Sequence, residues 1–157
     1  MNKPSPLQPG TKAPDFSALD QGGKEYSTAS LSGTRYLIYF YPRDLTPGCT
    51  TEACALRDVD EDFMKHKTLI LGVSPDHAKS HQRFIDKHDL PFPLLVDEDH
   101  AIAEAFGVWG EKKFMGRTYD GVLRISFLIS KEGKIEKTYE KVKPAEHALQ
   151  VLNDLHG

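Results

Sequence analysis

The chain has 157 residues, of which 39% are hydrophobic and 27% are charged, a composition typical of one globular domain over residues 1–157 with a sizeable core. The formal net charge is −3, and the basic residues do not gather into a stripe, which argues against nucleic acid as a partner. Prolines interrupt the N-terminus and no apolar run approaches the ~18 residues of a membrane span, so we expect a cytoplasmic protein with no signal peptide and no membrane partner.

The first part of the chain is predicted to contain an arm, a hairpin and a buried strand. Residues 1–10 are polar and rich in proline, and we expect them to form a loose N-terminal arm. The glycines of Gln21-Gly22-Gly23 mark a turn between two short extended segments, which predicts an N-terminal β-hairpin extension. The run YLIYFYP is continuously apolar and aromatic, so it predicts a central strand that is buried on both faces and ends at Pro42.

A helix is predicted over residues 47–65, because apolar residues recur there at helical spacing: Cys49, Ala53, Leu56 and Phe63. The remaining segments are read in chain order as the strand TLILGVS, the helix DHAKSHQRFIDKHD, the strand FPLLV, the helix DEDHAIAEAFG, the hairpin VLRISFLIS-KEG-KIEKTYEKV and the helix PAEHALQVLNDLHG. This βαβαββα order predicts an α/β fold in which helices cover both faces of a mixed central sheet.

Both cysteines of the chain lie in the segment TPGCTTEAC, at positions 49 and 54. Two cysteines are too few for the disulfide framework of a secreted protein, and one close pair suggests metal or redox chemistry. Thr46 suits the N-cap of a helix, Pro47 suits its first position, and Gly48 lets the backbone approach a neighbour closely. Cys49 would therefore lie in the first turn, where free amides and the helix dipole favour the nucleophilic thiolate.

The helix end alone does not make Cys49 a fast catalyst. A more acidic thiol is ionised more often but is a weaker nucleophile, and the two effects together leave a gain of about 2-fold. A competent site must also stabilise charge that develops on the substrate. The candidate donors are the backbone amides near Gly48, the hydroxyl of Thr46, and Arg124, which starts the strand RISFLIS and can reach the end of YLIYFYP in a sheet of this order.

The five-residue separation of Cys49 and Cys54 has a geometric consequence. On an ideal helix it places the two Cα atoms about 8.6 Å apart. A disulfide requires about 7 Å or less. An intact helix therefore excludes a static disulfide, and a bond between these cysteines would require the first turns of the helix to unwind.

Two segments resemble the signatures of a known family. In PRDLTPGC, the residues Pro42, Thr46 and Cys49 form a Pro-x-x-x-Thr-x-x-Cys pattern that is similar to the peroxiredoxin signature, and Arg124 in GVLRISFLI matches the second motif of that family. The Cys-x-x-x-x-Cys spacing to Cys54 is similar to the bacterioferritin comigratory protein subfamily, also called Q-type peroxiredoxins. The similarity spans nearly the whole chain. It implies a thioredoxin-like fold and a thiol peroxidase that requires no metal and no bound organic cofactor.

The resemblance also implies a role for each matching residue. Cys49 would be the peroxidatic cysteine, which attacks hydrogen peroxide or an organic hydroperoxide. Thr46 and Arg124 would orient the peroxide and stabilise the thiolate, and Pro42 would shield the pocket. Glu52 would join the hydrogen-bond network through the arginine.

Cys54 would be the resolving cysteine of the same cycle. It would condense with the sulfenic acid of Cys49 to an intramolecular disulfide, which thioredoxin or a similar dithiol protein would reduce. Members of this subfamily are often monomers, and we expect a monomer. The chain departs from the family pattern at Ser126, where many members have threonine, and this mild change leaves the assignment intact.

Simpler interpretations remain open at this stage. Either cysteine could be a small buried side chain, Glu52 could be an ordinary first-turn acid, and Arg124 could form a surface salt bridge. A thioredoxin-like disulfide oxidoreductase is an alternative function, but that class normally shows Cys-x-x-Cys, and a third alternative is a redox-sensing domain without catalysis. His77 and His81 have a spacing that can hold a metal, yet no recognisable zinc signature surrounds them, so we expect no metal site.

Overall fold

The computed structural model describes residues 3–156 and has nine strands and five helices in that range. In chain order the elements are β1 (Ser17–Leu19), β2 (Glu25–Ser27), β3 (Arg35–Phe40), α1 (Pro47–Asp58), α2 (Asp60–Lys65), β4 (Thr68–Ser74), α3 (Ala78–His88), β5 (Leu94–Val96), α4 (Ala101–Ala105), β6 (Trp109–Phe114), β7 (Arg117–Val122), β8 (Ser126–Ile129), β9 (Ile135–Tyr139) and α5 (His147–His156). Within residues 3–156, no helix has the length and apolar character needed to cross a membrane.

The central sheet has five strands in the order β5-β4-β3-β8-β9. Strand β4 runs parallel to β3 and to β5, whereas β8 runs antiparallel to β3 and to β9. The predicted mixed sheet is therefore confirmed, and YLIYFYP supplies its central strand. The N-terminal hairpin is also confirmed, since β1 and β2 pair antiparallel as a separate two-stranded sheet.

Successive residues of β3 face opposite sides of the sheet, as the two-residue period of a strand requires. Ile38 and Phe40 belong to the core cluster that also contains Phe106, next to helix α4. Leu37 and Tyr39 belong to a second cluster, which collects the buried faces of α1, α2, α3 and α5. Helices thus cover both faces, and the continuous apolar run of β3 is explained because neither of its faces meets water.

The helix predicted over residues 47–65 is divided at Val59, whose φ and ψ of −117° and 12° are not helical. Helix α1 ends at Asp58 and α2 begins at Asp60. Val59 is β-branched and therefore a weaker helix former, and Asp60, Glu61 and Asp62 stabilise the positive end of a new helix. The prediction of one continuous helix was wrong at this point, but both cysteines remain in the unbroken α1.

The strand predicted as VLRISFLIS is shorter than expected, because β8 begins only at Ser126. Before it lies a hairpin of β6 and β7 that we did not predict. Its two-residue turn has positive φ at both Met115 (52°) and Gly116 (77°), as a type I′ turn requires, and methionine is an unusual residue at such a position. Arg124 consequently lies in the short link between this hairpin and β8.

The predicted arm is not loose where the structure describes it. Residues 3–10 have no helix or strand, but the Leu7 amide donates to the Phe106 carbonyl at 3.2 Å and the Thr138 hydroxyl donates to the Leu7 carbonyl at 2.8 Å. Extended backbone exposes its amides and carbonyls, so it can bind a neighbouring surface without forming a regular element. Residues 1 and 2 of the predicted arm lie outside the described residues.

Candidate active site

The loop of residues 41–46 joins the end of β3 to the start of α1 and sets the direction in which the helix begins. Leu45 has a φ of 64°, an uncommon left-handed conformation for a leucine, and Thr46 then returns to extended backbone. Pro47 occupies the first helical position as predicted, and the amide of Thr50 donates to the carbonyl of Thr46 at 2.8 Å. This turn starts α1 at Pro47 and so places Cys49 in the first turn of the helix.

Cys49 lies in the first turn of α1 with a free thiol and only 2% of its surface exposed. No side chain caps this helix, so the amide hydrogens of Gly48 and Cys49 remain available to a ligand. These amides carry the positive partial charge of the helix end, which favours an ionised sulfur or an anionic oxygen beside it. Such a buried sulfur admits only a small reacting group.

Arg124 reaches Cys49 because β8 runs antiparallel to β3. The pairing of Tyr39 with Ser126, continued by a 2.9 Å bond from the Phe40 amide to the Ile125 carbonyl, places Arg124 beside the end of β3. Its Nη2 donates to the Cys49 Sγ at 3.3 Å. The juxtaposition expected from the element order is therefore present, and it supplies a cation to the sulfur.

Glu52, Arg124 and Cys49 form a row of three charged or ionisable side chains, with Arg124 in the middle. Glu52 lies one turn after Cys49 on α1 and is fully buried, and its Oε1 accepts from Nη1 of Arg124 at 2.8 Å. Burial raises the pKa of Glu52 to about 7, although the positive charge of Arg124 and its hydrogen bond oppose that rise. The other oxygen, Oε2, finds no hydrogen-bond donor among the described residues. Glu52 is therefore a buried acid that changes charge close to neutral pH.

The pKa of Arg124 is affected by opposite influences. Burial alone would lower it, but the negative charges of Cys49 and Glu52 and the hydrogen bonds to both side chains raise it overall. The guanidinium therefore remains charged, and its two donor groups hold the cysteine and the glutamate at the same time.

Gly48 suits the close approach of this guanidinium to the helix. A Cβ atom at position 48 would lie 3.1 Å from Nη2 of Arg124, which is tighter than most Cβ contacts, and 3.7 Å from its Cζ, which is an ordinary contact. The side chain of Arg124 cannot retreat freely, because Cys49 and Glu52 both bind it. The glycine predicted to permit a close backbone approach thus faces the arginine.

Thr46 occupies the N-cap position, but its side chain does not form the predicted capping bond. Its hydroxyl instead donates to the carbonyl of Arg43 at 2.8 Å. The hydroxyl has one hydrogen, so its oxygen can only accept from any further partner. The helix amides and the oxygen of Thr46 are both left for a ligand.

The structure gives less direct support for the predicted roles of the other two site residues, Pro42 and Cys54. Pro42 is half-buried two residues after the end of β3, and its shielding role stays a prediction. Cys54 is half-buried on α1 with a free thiol. Because α1 is continuous from residue 47 to residue 58, the two cysteines lie about 8.6 Å apart by helix geometry, and a disulfide still requires unwinding.

Two further residues contribute to the electrostatics of the site, and the sequence did not single them out. Lys112 on β6 donates to the Val122 carbonyl at 2.9 Å. Burial, and to a smaller extent the positive charge of Arg124, lower the pKa of Lys112, and the negative charge of Cys49 opposes that shift. Burial raises the pKa of Tyr39, with smaller contributions from Glu52 and Cys49. Lys112 was missed because its hairpin was not predicted, and Tyr39 because it is one of several aromatics in β3.

The expectation about metal ligands concerned His77 and His81, and the side chains of these two histidines bind different partners. His77 accepts from the Ser80 amide and caps α3. His81 lies near Asp44 and Asp76, and the ligand atoms of these three residues fall within 4.8 Å of one another. However, Nδ1 of His81 contacts Asp44 Oδ2 at 2.7 Å and its Nε2 contacts the carbonyl of Leu95 at 2.8 Å, so both ring nitrogens are already bound.

Comparison with known proteins agrees with this geometry. Residues 9–138 match the model of the AhpC/TSA family. Peroxiredoxin Bcp of Escherichia coli is 49% identical over 149 residues, covering 95% of this chain and 96% of that protein. A structure of peroxiredoxin Q from Xanthomonas campestris has a TM-score of 0.86 and 38% identity and covers 98% of this chain and 96% of that one, which confirms the thioredoxin-like fold. The bacterioferritin comigratory protein of the same organism, solved in work on its alkyl peroxide reduction activity, has a TM-score of 0.86 and 37% identity over 98% of each chain.

Proposed function

We propose a catalytic cycle built on Cys49, Arg124 and Cys54. The premise is that the chain belongs to the AhpC/TSA family, and within it to the Bcp or Q-type peroxiredoxins, and is therefore a thiol-dependent peroxidase. The observation that carries the proposal is the 3.3 Å contact from Arg124 Nη2 to the Cys49 Sγ at the open end of α1. A guanidinium and free helix amides stabilise both the attacking thiolate and the negative charge that develops on a peroxide oxygen.

In the first step, the thiolate of Cys49 attacks one oxygen of the peroxide. An S–O bond forms, the O–O bond breaks, and the leaving oxygen takes a proton and departs as water or an alcohol. Two electrons pass from the sulfur to the peroxide, and Cys49 becomes a sulfenic acid. Thr46 and Arg124 orient the peroxide in this step, Glu52 holds Arg124, and Pro42 shields the pocket from water.

In the second step, Cys54 resolves the sulfenic acid. The Cys54 thiolate attacks the sulfur of Cys49, an S–S bond forms, the S–O bond breaks, and the departing hydroxide becomes water. Helix geometry keeps the two cysteines too far apart for this bond, so the first turns of α1 must open before it forms.

In the third step, a dithiol protein reduces the disulfide by thiol exchange, and we assign this role to thioredoxin or a similar reductant. Such reductants keep thiols reduced in the cytoplasm, which we propose as the location of the protein. We propose that the protein acts as a monomer, since each step needs residues of one chain only.

We propose hydrogen peroxide and organic hydroperoxides as substrates. The related bacterioferritin comigratory protein of Xanthomonas campestris is connected with alkyl peroxide reduction. The Cys49 sulfur is almost fully buried, so the hydroperoxide group itself must enter while any alkyl chain stays outside.

The test is peroxide-dependent oxidation of a reduced thioredoxin system by the wild type, Cys49→Ser and Cys54→Ser. Loss of all activity in Cys49→Ser is expected, and retained activity would contradict the catalytic assignment. Cys54→Ser should still reduce one equivalent of peroxide and then stop as the sulfenic acid, which a dimedone adduct would reveal by mass spectrometry. Normal turnover of Cys54→Ser with thioredoxin would rule out its role as the resolving cysteine.

A further inference from the structure

We propose that Asp76 is a positioning residue of the peroxidase site, which acts through one peptide group to set the direction of the Thr46 hydroxyl. The inference rests on the proposed function, because it concerns how Thr46 meets the peroxide. Asp76 lies in the loop after β4 and shares no segment with the active-site loop of residues 41–46. Its carboxylate nevertheless reaches that loop directly.

The hydroxyl hydrogen of Thr46 is already used in a hydrogen bond. The Thr46 hydroxyl donates its one hydrogen to the Arg43 carbonyl at 2.8 Å. Its oxygen can therefore only accept a further hydrogen bond, and a hydroperoxide must present its O–H to it. If the Arg43 carbonyl turned away, the hydroxyl could rotate, and its oxygen would no longer be held as an acceptor for the peroxide.

The peptide group between Arg43 and Asp44 links the carbonyl that Thr46 binds to the amide that Asp76 binds. A trans peptide is planar, and its C=O and N–H point in opposite directions. The described residues contain no cis peptide bond. The amide of Asp44 donates to Oδ2 of Asp76 at 2.8 Å, so the Arg43 carbonyl is held on the opposite side, toward Thr46. The contact with Asp76 therefore fixes the acceptor that orients the hydroxyl.

Asp76 is itself held in place by Ser74. The Ser74 hydroxyl donates to Oδ2 of Asp76 at 2.7 Å, and the Asp76 amide donates back to that hydroxyl at 3.2 Å. Ser74 is the last residue of β4 and is 1% exposed. The carboxylate is thus tied to the central sheet, which is a firmer support than the loop that it orients.

Other contacts hold the same loop but do not act on this peptide group. The side chain of Asp44 accepts from Tyr41 Oη at 2.6 Å and from Ser80 Oγ at 2.8 Å, and it contacts His81 Nδ1 at 2.7 Å. These bonds fix where the side chain of Asp44 lies. Rotation of the preceding peptide is restrained by Asp76.

The test is a double-mutant cycle of Asp76→Ala and Thr46→Val in a Cys54→Ser background, so that only Cys49 reacts. The measured quantities are the rate constant for hydrogen peroxide in single-turnover stopped flow and the rate constant for alkylation by iodoacetamide, which does not need the oriented hydroxyl. We expect Asp76→Ala to slow the peroxide reaction about 10-fold and to change alkylation by less than about 2-fold. In the Thr46→Val background, Asp76→Ala should change the peroxide rate by less than about 2-fold.

Two variants and one control keep this test decisive if Asp76→Ala folds poorly. Asp76→Asn retains an acceptor for the Asp44 amide and should stay within about 3-fold of the parent rate. Ser74→Ala removes both bonds that support Asp76 and should show the same dependence on Thr46 as Asp76→Ala. The matched control is Asp86→Ala on α3, whose exposed carboxylate binds only Gln82 among the described hydrogen bonds and should leave both rates unchanged.

The outcomes separate this inference from the proposed function. Asp76→Ala could slow the peroxide reaction as much in the Thr46→Val background as in the parent, or it could slow alkylation as much as the peroxide reaction. Either result would overturn the role of Asp76 and leave the peroxidase cycle intact. An unchanged peroxide rate in Thr46→Val would overturn the role of Thr46 and that of Asp76 with it. A protein whose Cys49 does not react with peroxide at all would overturn the proposed function.

Discussion

Two buried carboxylates flank Cys49 along the chain, and the fold surrounds them differently. Asp44, before the helix, has both oxygens occupied, by Tyr41 on one and by Ser80 and His81 on the other. Glu52, after it, has one oxygen bound to Arg124 and the other without a donor among the described residues. Both side chains are shielded from water, so the difference lies in their hydrogen bonds alone.

The contrast indicates that the surroundings of Asp44 hold the active-site loop in place, whereas the surroundings of Glu52 take part in the chemistry at Cys49. A buried carboxylate with both oxygens hydrogen-bonded is fixed in place, whereas one with an unpartnered oxygen is costly to bury and is sensitive to its neighbours. The Asp44 region, formed by Asp44 with Tyr41, Ser80 and His81, anchors the active-site loop to α3. The Glu52 region, formed by Glu52 and Arg124, presents the guanidinium to the sulfur of Cys49. The following predictions test this division.

The largest effect is expected for Arg124→Met, which removes the cation from the Glu52 region. Cys49 loses its side-chain donor and Glu52 loses its partner, so the rate constant for hydrogen peroxide should fall about 10³-fold. Stopped-flow measurement of single-turnover peroxide reduction checks this. The matched control is Arg35→Met, at the opposite end of β3, which breaks the 2.8 Å ion pair with Glu136 and should leave the rate unchanged.

The second effect concerns the Asp44 region and should appear in stability. His81→Leu leaves the buried carboxylate of Asp44 without its ionisable partner, and the free energy of unfolding should fall by about 3 kcal/mol. Urea denaturation followed by circular dichroism measures it. The exposed His77→Leu, which removes only the N-cap bond of α3 and should cost about 1 kcal/mol, serves as control. A loss of stability in His81→Leu no larger than that of this control would show that Asp44 and its partners do not anchor the fold.

The third effect is the pH dependence of stability caused by Glu52. Its pKa is raised from 4.5 to about 7 on folding, so the native state binds the proton more tightly than the unfolded state. The stability from this group is complete below pH 4.5 and is lost as the pH rises through 7, by up to about 3 kcal/mol. Glu52→Gln should remove this loss.

Urea denaturation of the wild type and Glu52→Gln between pH 4.5 and 8 provides the measurement. The difference in unfolding free energy between the two proteins should shift in favour of Glu52→Gln as the pH rises. A difference that stays constant over this range would mean that folding does not raise the pKa of Glu52.

The smallest effect is expected for Gly48→Ala, which disturbs Arg124 without removing it. The new methyl group would lie 3.1 Å from Nη2, so the guanidinium must move by a few tenths of an ångström and the peroxide rate should fall about 10-fold. Single-turnover kinetics measure the rate. In the Arg124→Met background, Gly48→Ala should no longer change the peroxide rate. If it slows the reaction there as much as in the wild type, the alanine acts on the helix and not on Arg124.

Much of the fold could be predicted from the sequence, because the signals for β3, β4 and α3 are local. Continuous apolar runs, helical spacing and turn residues each depend on a few neighbouring positions. The hairpin of β6 and β7 escaped prediction, since its turn uses Met115 where asparagine or aspartate would have been recognised. The docking of residues 3–10 was also missed, because it depends on contacts with Phe106 and Thr138.

The amino-acid sequence by itself determined that Cys49 lies in the first turn of a helix, that Cys54 cannot reach it while that helix is intact, and that Arg124 can approach from the beginning of a neighbouring segment of the sheet. Capping, helix geometry and strand order are local or topological properties, so they can be read along the chain. Only the tertiary structure decided that Glu52 keeps an unpartnered oxygen, that Asp44 does not, and that Asp76 reaches the active-site loop. Burial and hydrogen-bond satisfaction arise where distant segments meet, and no single segment of the sequence contains them.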